Sequence, residues 1–212
     1  INTGSSGGFA AIRRGEADIA GTHLLDEKTG EYNIPFIERY GIADKAVLVR
    51  GYFREQGLVV ARGNPKNLRG FEDFLEKRLS LINRNPGSGT RILLDMHLQE
   101  IARKKGVPLD QLVSGIDGYR AEAKSHTAVA VAVLQGKADV GLAIRAVAER
   151  YGLDFLSIAE ENYDFLIRKS RLSKSSVQAF LEVLRSDEFK NELKKRLPGL
   201  SPTEETGKIV YP

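Results

Sequence analysis

The sequence predicts an α/β protein of two similar lobes, each a mostly parallel sheet flanked by helices. Helical and strand patterns alternate along most of the chain, which is the mark of that architecture. A short unit also occurs twice. Ile12-Arg13-Arg14-Gly15-Glu16-Ala17-Asp18-Ile19 reads apolar-x-x-Gly-x-Ala-Asp-apolar, and so does Val133-Leu134-Gln135-Gly136-Lys137-Ala138-Asp139-Val140. Gly15 and Gly136, like Asp18 and Asp139, stand 121 residues apart. Upstream, Ser5 and Ser6 align with His126 and Thr127, each pair just before a small apolar helix. A polar loop, a helix, a Gly stop and a buried strand in each lobe aim a helix N-terminus at something. Its unpaired N–H groups and partial positive charge make an anion the natural guest.

The elements follow in order. Residues 6–14 read as a helix, stopped by Gly15, and 17–22 as a buried strand. Residues 35–40 read as a short helix, and 46–50 and 57–61 as strands around Tyr52-Phe53-Arg54-Glu55-Gln56. Residues 68–77 form an amphipathic pattern, and 79–83 a strand entering Asn83-Arg84-Asn85-Pro86-Gly87-Ser88-Gly89-Thr90. A long helix follows over 90–105, with Leu94, Leu98 and Ile101 on one face. Residues 128–134 alternate Ala and Val, so periodicity alone permits a strand; the alignment with the first copy and the Gly stop favour a helix. Residues 153–158 and 164–167 read as strands around a polar turn at Glu160-Glu161-Asn162. Charged amphipathic helices over 175–184 and 187–196 close the chain. Crossovers near 52–58 and 158–165 divide it into lobe one (1–56), lobe two (57–158) and a return to lobe one (159–212). Such an order predicts a clamp with its site in a cleft.

Composition narrows the function. The 212 residues are 42% hydrophobic and 28% charged, ordinary for a globular protein with a real core. The formal net charge of +4 is spread without a basic stripe, which argues against a nucleic-acid partner. There is no Cys, which excludes disulfides and thiolate metal sites or nucleophiles. The three His residues, His23, His97 and His126, lack metal-ligand spacing. No apolar run is long enough to span a bilayer, and the N-terminus has no signal-peptide pattern.

The strongest local motif is Arg84-x-x-Gly87-Ser88-Gly89-Thr90, where a strand gives way to a helix. Its glycines let backbone N–H groups approach a guest, Ser88 and Thr90 offer hydroxyls, and Arg84 or Arg91 adds charge. The plain alternative is a helix N-cap worth about 1 kcal/mol. No Lys follows the Gly, so this is not a nucleotide-triphosphate loop. Asn2-Thr3-Gly4-Ser5-Ser6-Gly7-Gly8 is the matching loop of lobe one, and Ser125-His126-Thr127 the third. His23 and Tyr32 follow the first buried strand, where sites gather in α/β folds; Asp26 and Asn33 nearby serve equally well as turn formers. Arg54 either reaches into the cleft or pairs with Glu55 or a carboxylate among residues 160–164. Asp18 and Asp139 order the turn between helix stop and strand. No nucleophile accompanies the histidines, so no enzyme is expected.

Taken together these residues resemble the type II periplasmic-binding-protein fold, and within it domains related to molybdate- and tungstate-binding proteins. The resemblance rests on 4–12, 15–20, 23–26, 29–33, 54–58, 83–84, 87–91 and 136–139. It implies a non-catalytic domain holding a small oxyanion, with no cofactor, for sensing or delivery in molybdenum or tungsten cofactor metabolism. It implies donors Ser5, Ser6 and Gly7 in one loop and Arg84, Ser88, Gly89 and Thr90 in another, and a fused molybdopterin-biosynthesis (MoeA-like) or helix-turn-helix module. It further implies a cytoplasmic location for such fusions and no membrane insertion. The family's fold opens with a strand, loop and helix ahead of the unit that starts at Ile1, so a truncated domain is expected. The alternative is an effector domain for an organic anion such as a pterin, in which His23, Tyr32 and Arg54 matter more.

Overall fold

The computed structural model describes residues 4–211. The chain forms two compact units, one built from Thr3–Arg54 with Glu160–Pro212, the other from Glu55–Ala159. Asn2 and Thr3 of the first loop lie outside the described residues.

Unit 1 opens with helix α1 (Gly4–Arg14), which lays Phe9 and Ile12 into the core and leads into strand β1 (Ile19–Thr22). A short helix α2 (Ile34–Arg39) follows, and Phe9 stacks on Tyr40 just beyond it at 4.8 Å. Strand β2 (Ala46–Val60) begins in this unit and strand β6 (Asp154–Arg168) ends in it. Helices α8 (Ser175–Arg185) and α9 (Asp187–Arg196) precede strands β7 (Leu200–Pro202) and β8 (Ile209–Tyr211). β1 pairs with β6, and both β7 and β8 pair with β2, all antiparallel. Val177, Leu181 and Leu184 of α8 recur at helical spacing and bury against Val47, Val49 and Ile167 of the sheet.

Unit 2 holds helix α3 (Asp73–Glu76), strand β3 (Leu81–Arg84), helices α4 (Gly89–Lys105) and α5 (Leu109–Ser114), and strand β4 (Glu122–Ala123). Helix α6 (His126–Leu134), strand β5 (Val140–Ile144) and helix α7 (Arg145–Arg150) complete it. β3 lies parallel to both β4 and β5, while β5 pairs antiparallel with β2. Mostly parallel pairing therefore holds around β3 only. In unit 1 the described pairs are antiparallel, because β1, β7 and β8 join strands running the other way. One core packs Leu94, Leu98 and Ile101 of α4 against Leu81, Val140 and Leu142; another packs Val129, Ala130 and Val133 of α6 against Val59 and Ala143.

Five expected elements differ. The strands expected at 46–50 and 57–61 are one fifteen-residue strand, β2, and those at 153–158 and 164–167 are one strand, β6. The helix expected over 68–77 is helical only at Asp73–Glu76. Side chains take over backbone bonds ahead of it: Asn64 Oδ1 accepts from Leu68 N–H at 2.9 Å, and Asp73 Oδ2 accepts from Arg69 N–H at 2.6 Å. Such local bonds compete with helix formation.

The duplicated Gly has a geometric meaning. Gly15 donates to the Ile12 carbonyl and Glu16 to Ala11; Gly136 donates to Val133 and Lys137 to Ala132. Both are Schellman stops, with the glycines at φ of 78° and 66°. Gly106 closes α4 with the same pair of bonds and lies outside the repeat. The unit is thus a helix-stop signal followed by a strand, which is buried in the second copy (β5) but, against expectation, only half-buried at Ile19, Ala20 and Gly21 in the first (β1). Its aspartates are structural: Asp139 Oδ2 accepts from Ser80 N–H and O–H at 2.9 and 3.0 Å, and Asp18 pairs with Lys174 and Arg171.

Candidate functional site

The sequence-predicted residues fall into two sets, one in each unit. In unit 1 the organising group is Glu161, nearly inaccessible in β6. Its Oε1 accepts from Arg54 Nε at 2.7 Å and again from Arg54 Nη2, and its Oε2 lies 2.9 Å from His23 Nδ1. The Arg54 guanidinium sits 4.2 Å over the Tyr163 ring, which also stacks on His23 at 5.6 Å and on Tyr52 at 5.4 Å. Of its two sequence readings, Arg54 therefore takes the paired one. Burial pushes the Tyr32 phenol well above its ordinary range; the charge of Glu161 adds to this and Arg54 opposes it. Burial likewise pushes Tyr52 up to about 12, against the pull of Arg54. Both phenols stay protonated donors at neutral pH.

Ser5, at the start of α1, is buried and its Oγ accepts from His23 N–H at 3.1 Å, so it positions the His23 loop. Ser6 and Gly7 beside it are half-buried. Asn33, held at φ 65°, accepts from Thr22 O–H and Leu24 N–H through Oδ1 and donates to Asp164 at 2.8 Å. Asp26 accepts from Arg39 at 2.7 Å, from Thr29 O–H and from Lys28 N–H. Both are turn builders, as one of their two sequence readings had it. Asp164, fully buried, also accepts from Arg50 at 3.0 Å and Gly51 N–H at 3.1 Å, and locks the same loops to β2.

Unit 2 gathers the second set at the carboxyl ends of two adjacent parallel strands. Asn83 is opposite Glu122 and Arg84 opposite Ala123, so the loops leaving β3 and β4 start side by side. Each runs into a helix N-terminus, α4 of seventeen residues and α6 of nine. In open α/β sheets this edge is where ligands bind. Buried Arg84 ties the two loops together, its Nε donating to Ala123 O at 3.2 Å and its Nη2 to Lys124 O at 3.5 Å. Asn83 braces the strand end, accepting from Arg84 N–H at 2.8 Å and donating to Tyr119 O at 3.0 Å. Tyr119 follows Gly118, whose φ of 74° and place against Leu81 O leave no room for a side chain: a Cβ there would stand 2.0 Å from that oxygen.

Ser88 caps α4 by accepting from Arg91 N–H at 3.2 Å, and Ser125 caps α6 by accepting from Ala128 N–H at 3.0 Å. Capping uses a serine as acceptor and leaves its O–H proton for a guest. Gly89 is buried in the first turn of α4, His126 is half-buried and Thr127 exposed in that of α6. Thr90, 1% exposed in the first turn of α4, has a buried hydroxyl that makes no hydrogen bond among the described residues. An unmatched buried hydroxyl costs about 1–3 kcal/mol, so Thr90 carries a polar group the described fold leaves unsatisfied.

Sequence reasoning named Glu161 only as one of several possible partners for Arg54 and Asn83 only as part of the loop motif and the resemblance, and it missed Tyr119. Asn83 ends a strand and Tyr119 follows a Gly turn, but no spacing rule joins them. Among the described residues no three His, Asp or Glu side chains group as a metal site, and no helix is long and apolar enough to cross a membrane.

Residues 1–185 match the PBP superfamily domain, and the chain belongs to that family. It is 33% identical over 207 residues to the uncharacterized protein YvgK of Bacillus subtilis (strain 168), covering 98% of this chain and 63% of that one. It therefore spans less than two thirds of that relative's length. An uncharacterized protein encoded in the 5′ region of a ferredoxin gene of Clostridium pasteurianum is 35% identical over 124 residues, covering 56% of this chain and 97% of that one. Among solved structures, a protein from Clostridium perfringens described as a phosphate ABC transporter substrate-binding protein, with phosphate bound, superposes with a TM-score of 0.65. Identity is 13%, over 95% of this chain and 85% of that one. PEB3 with bound L-phospholactate gives 0.55 at 18% identity, over 74% and 68%. These likenesses establish the two-lobed binding-protein fold, a family of ligand-binding domains that are generally not enzymes.

Proposed function

We propose that the chain is the ligand-binding domain of a sensing or delivery protein, and that it takes a small tetrahedral oxyanion at the carboxyl ends of β3 and β4. Molybdate and tungstate are the ligands proposed first, in the setting of molybdenum or tungsten cofactor metabolism and alongside a MoeA-like or helix-turn-helix module. The observation that carries the reading is the Thr90 hydroxyl, buried without a hydrogen-bond partner among the described residues at one of two adjoining helix N-termini. Two helix N-termini and Arg84 supply positive potential, and Ser88, Thr90 and Ser125 supply O–H donors. Bound phosphate and phospholactate in two structures of the same fold support an anion as the class of guest.

The test pairs calorimetry with one substitution. The chain is titrated with molybdate, tungstate, sulfate and phosphate, then the titration is repeated on Thr90→Val. Removing an unsatisfied buried hydroxyl leaves the free chain as stable or more so, while affinity for the bound anion falls about tenfold. No heat with any of the four anions would refute the reading. A second reading, an organic anion carrying a phosphate or carboxylate, is favoured by the Tyr32, Tyr52 and Tyr163 cluster of unit 1. Saturable binding of a pterin, undisturbed by excess molybdate, would decide for it.

A further inference from the structure

Beside the donor loop of unit 2 lies a charged pair that touches it without belonging to it. Arg91 stands in the first turn of α4, where a free cation would oppose the helix dipole and add to any anion's attraction. Its charge is instead turned away. Arg91 Nε donates to both Asp95 oxygens, at 3.0 and 2.9 Å, one helical turn along. Tyr119 O–H donates to the same carboxylate at 2.8 Å, and the Arg91 guanidinium rests 4.3 Å over the Tyr119 ring. From there Arg91 Nη1 reaches the Arg84 carbonyl at 3.4 Å, so the pair is continuous with the residue that ties the two loops. The Arg91 side chain is only 12% exposed, against 34% for Asp95, so solvent screens the pair weakly on the side facing the loop.

We infer that Asp95 determines how much charge this anion site favours, by neutralising Arg91 next to it. The inference rests on the oxyanion reading above. Asp95 and Tyr119 act through Arg91 and touch no ligand. With the carboxylate in place the site draws its potential from the helix N-termini and Arg84, and Arg91 adds little. With the carboxylate removed, a full positive charge appears one turn into α4. The gain scales with the guest's own charge, so it separates a dianion from a monoanion of the same shape.

Tungstate and perrhenate make that comparison, both tetrahedral oxyanions but of charge −2 and −1. In Asp95→Asn, tungstate binds about fivefold tighter and perrhenate about twofold tighter at low ionic strength, and both gains shrink at high salt. Arg91→Gln combined with Asp95→Asn abolishes both gains. Tyr119→Phe, which loosens the segment but keeps the ion pair, leaves the tungstate-to-perrhenate ratio as it is in the unaltered chain. Urea melts of each variant report the folded fraction. An unchanged ratio in Asp95→Asn, an equal loss for both anions, or the same shift in Tyr119→Phe would overturn the assignment while leaving the oxyanion reading in place. Binding of neither anion, by the unaltered chain and Asp95→Asn alike, would overturn both.

Discussion

Replacing Glu161 with Gln tests whether unit 1 is organised by one buried carboxylate. Glu161 is 2% exposed and receives two bonds from Arg54 and one contact from His23. Gln keeps the shape and one acceptor oxygen but removes the negative charge. Arg54, 7% exposed, is then a buried cation beside an amide, and opposite Tyr163 it finds only a ring face. Breaking one side of a buried ion pair costs about 3–5 kcal/mol, and the retained amide oxygen brings the expectation to roughly 3 kcal/mol. For a chain of this size that loss lowers the melting temperature by roughly 6–12 °C. Urea denaturation followed by circular dichroism measures it. The paired change Arg54→Leu with Glu161→Leu removes both charges at once and should restore stability to within about 1 kcal/mol, since well-packed apolar groups replace buried ion pairs at little cost. A loss below about 1 kcal/mol in Glu161→Gln, or a double variant worse than the single one, would refute the account of Glu161 as the keystone of this cluster.

Gly21→Ala places a Cβ 2.1 Å from the Tyr163 hydroxyl and drives that ring off His23 and Tyr52, so a cost of about 1–3 kcal/mol is expected in the same urea assay. Ser88→Ala loses the α4 cap at about 1 kcal/mol and weakens tungstate binding; Ser88→Asp recovers the cap but not the binding, because its carboxylate repels the anion. His97, half-buried with its ring 4.4 Å from Phe71, has its pKa lowered by burial, against the pull of Glu100 and Glu72. The unfolded chain therefore takes up the proton first, and stability falls as the pH drops below 6.5 until the folded state protonates too. His97→Phe removes that part of the decline, read from urea midpoints measured across the interval; an identical decline would show that other groups carry it.

Much of the architecture was legible locally. Gly15 and Gly136 each terminate a helix because only a residue at ease with positive φ can close a Schellman turn, and that preference is written in a single residue type. Helices α1, α4, α6, α8 and α9 show their caps, their stops or a buried face within a dozen residues. The loop from Arg84 to Thr90 was visible for the same reason, since Gly, Ser and Thr before a helix are themselves the means of building its N-terminus. What the sequence by itself determined, then, is where helices α1, α4, α6, α8 and α9 start and stop, to within a residue or two.

The tertiary structure decided whatever depends on a distant partner. Tyr52-Phe53-Arg54-Glu55-Gln56 and Glu160-Glu161-Asn162 look like breaks because polar runs seldom sit inside strands. Both are continuous strand, since Arg54 finds Glu161 and Glu55 finds Arg145, 90 residues away, at 2.8 Å. A buried charge inside a strand is tolerable only when its counter-charge arrives from elsewhere, and no local window contains that information. The same holds for Arg91, a plausible ligand by sequence until Asp95 and Tyr119 claim it. And it holds for Thr90, whose lack of a partner among the described residues is a property of its packed surroundings and of nothing in the sequence near it.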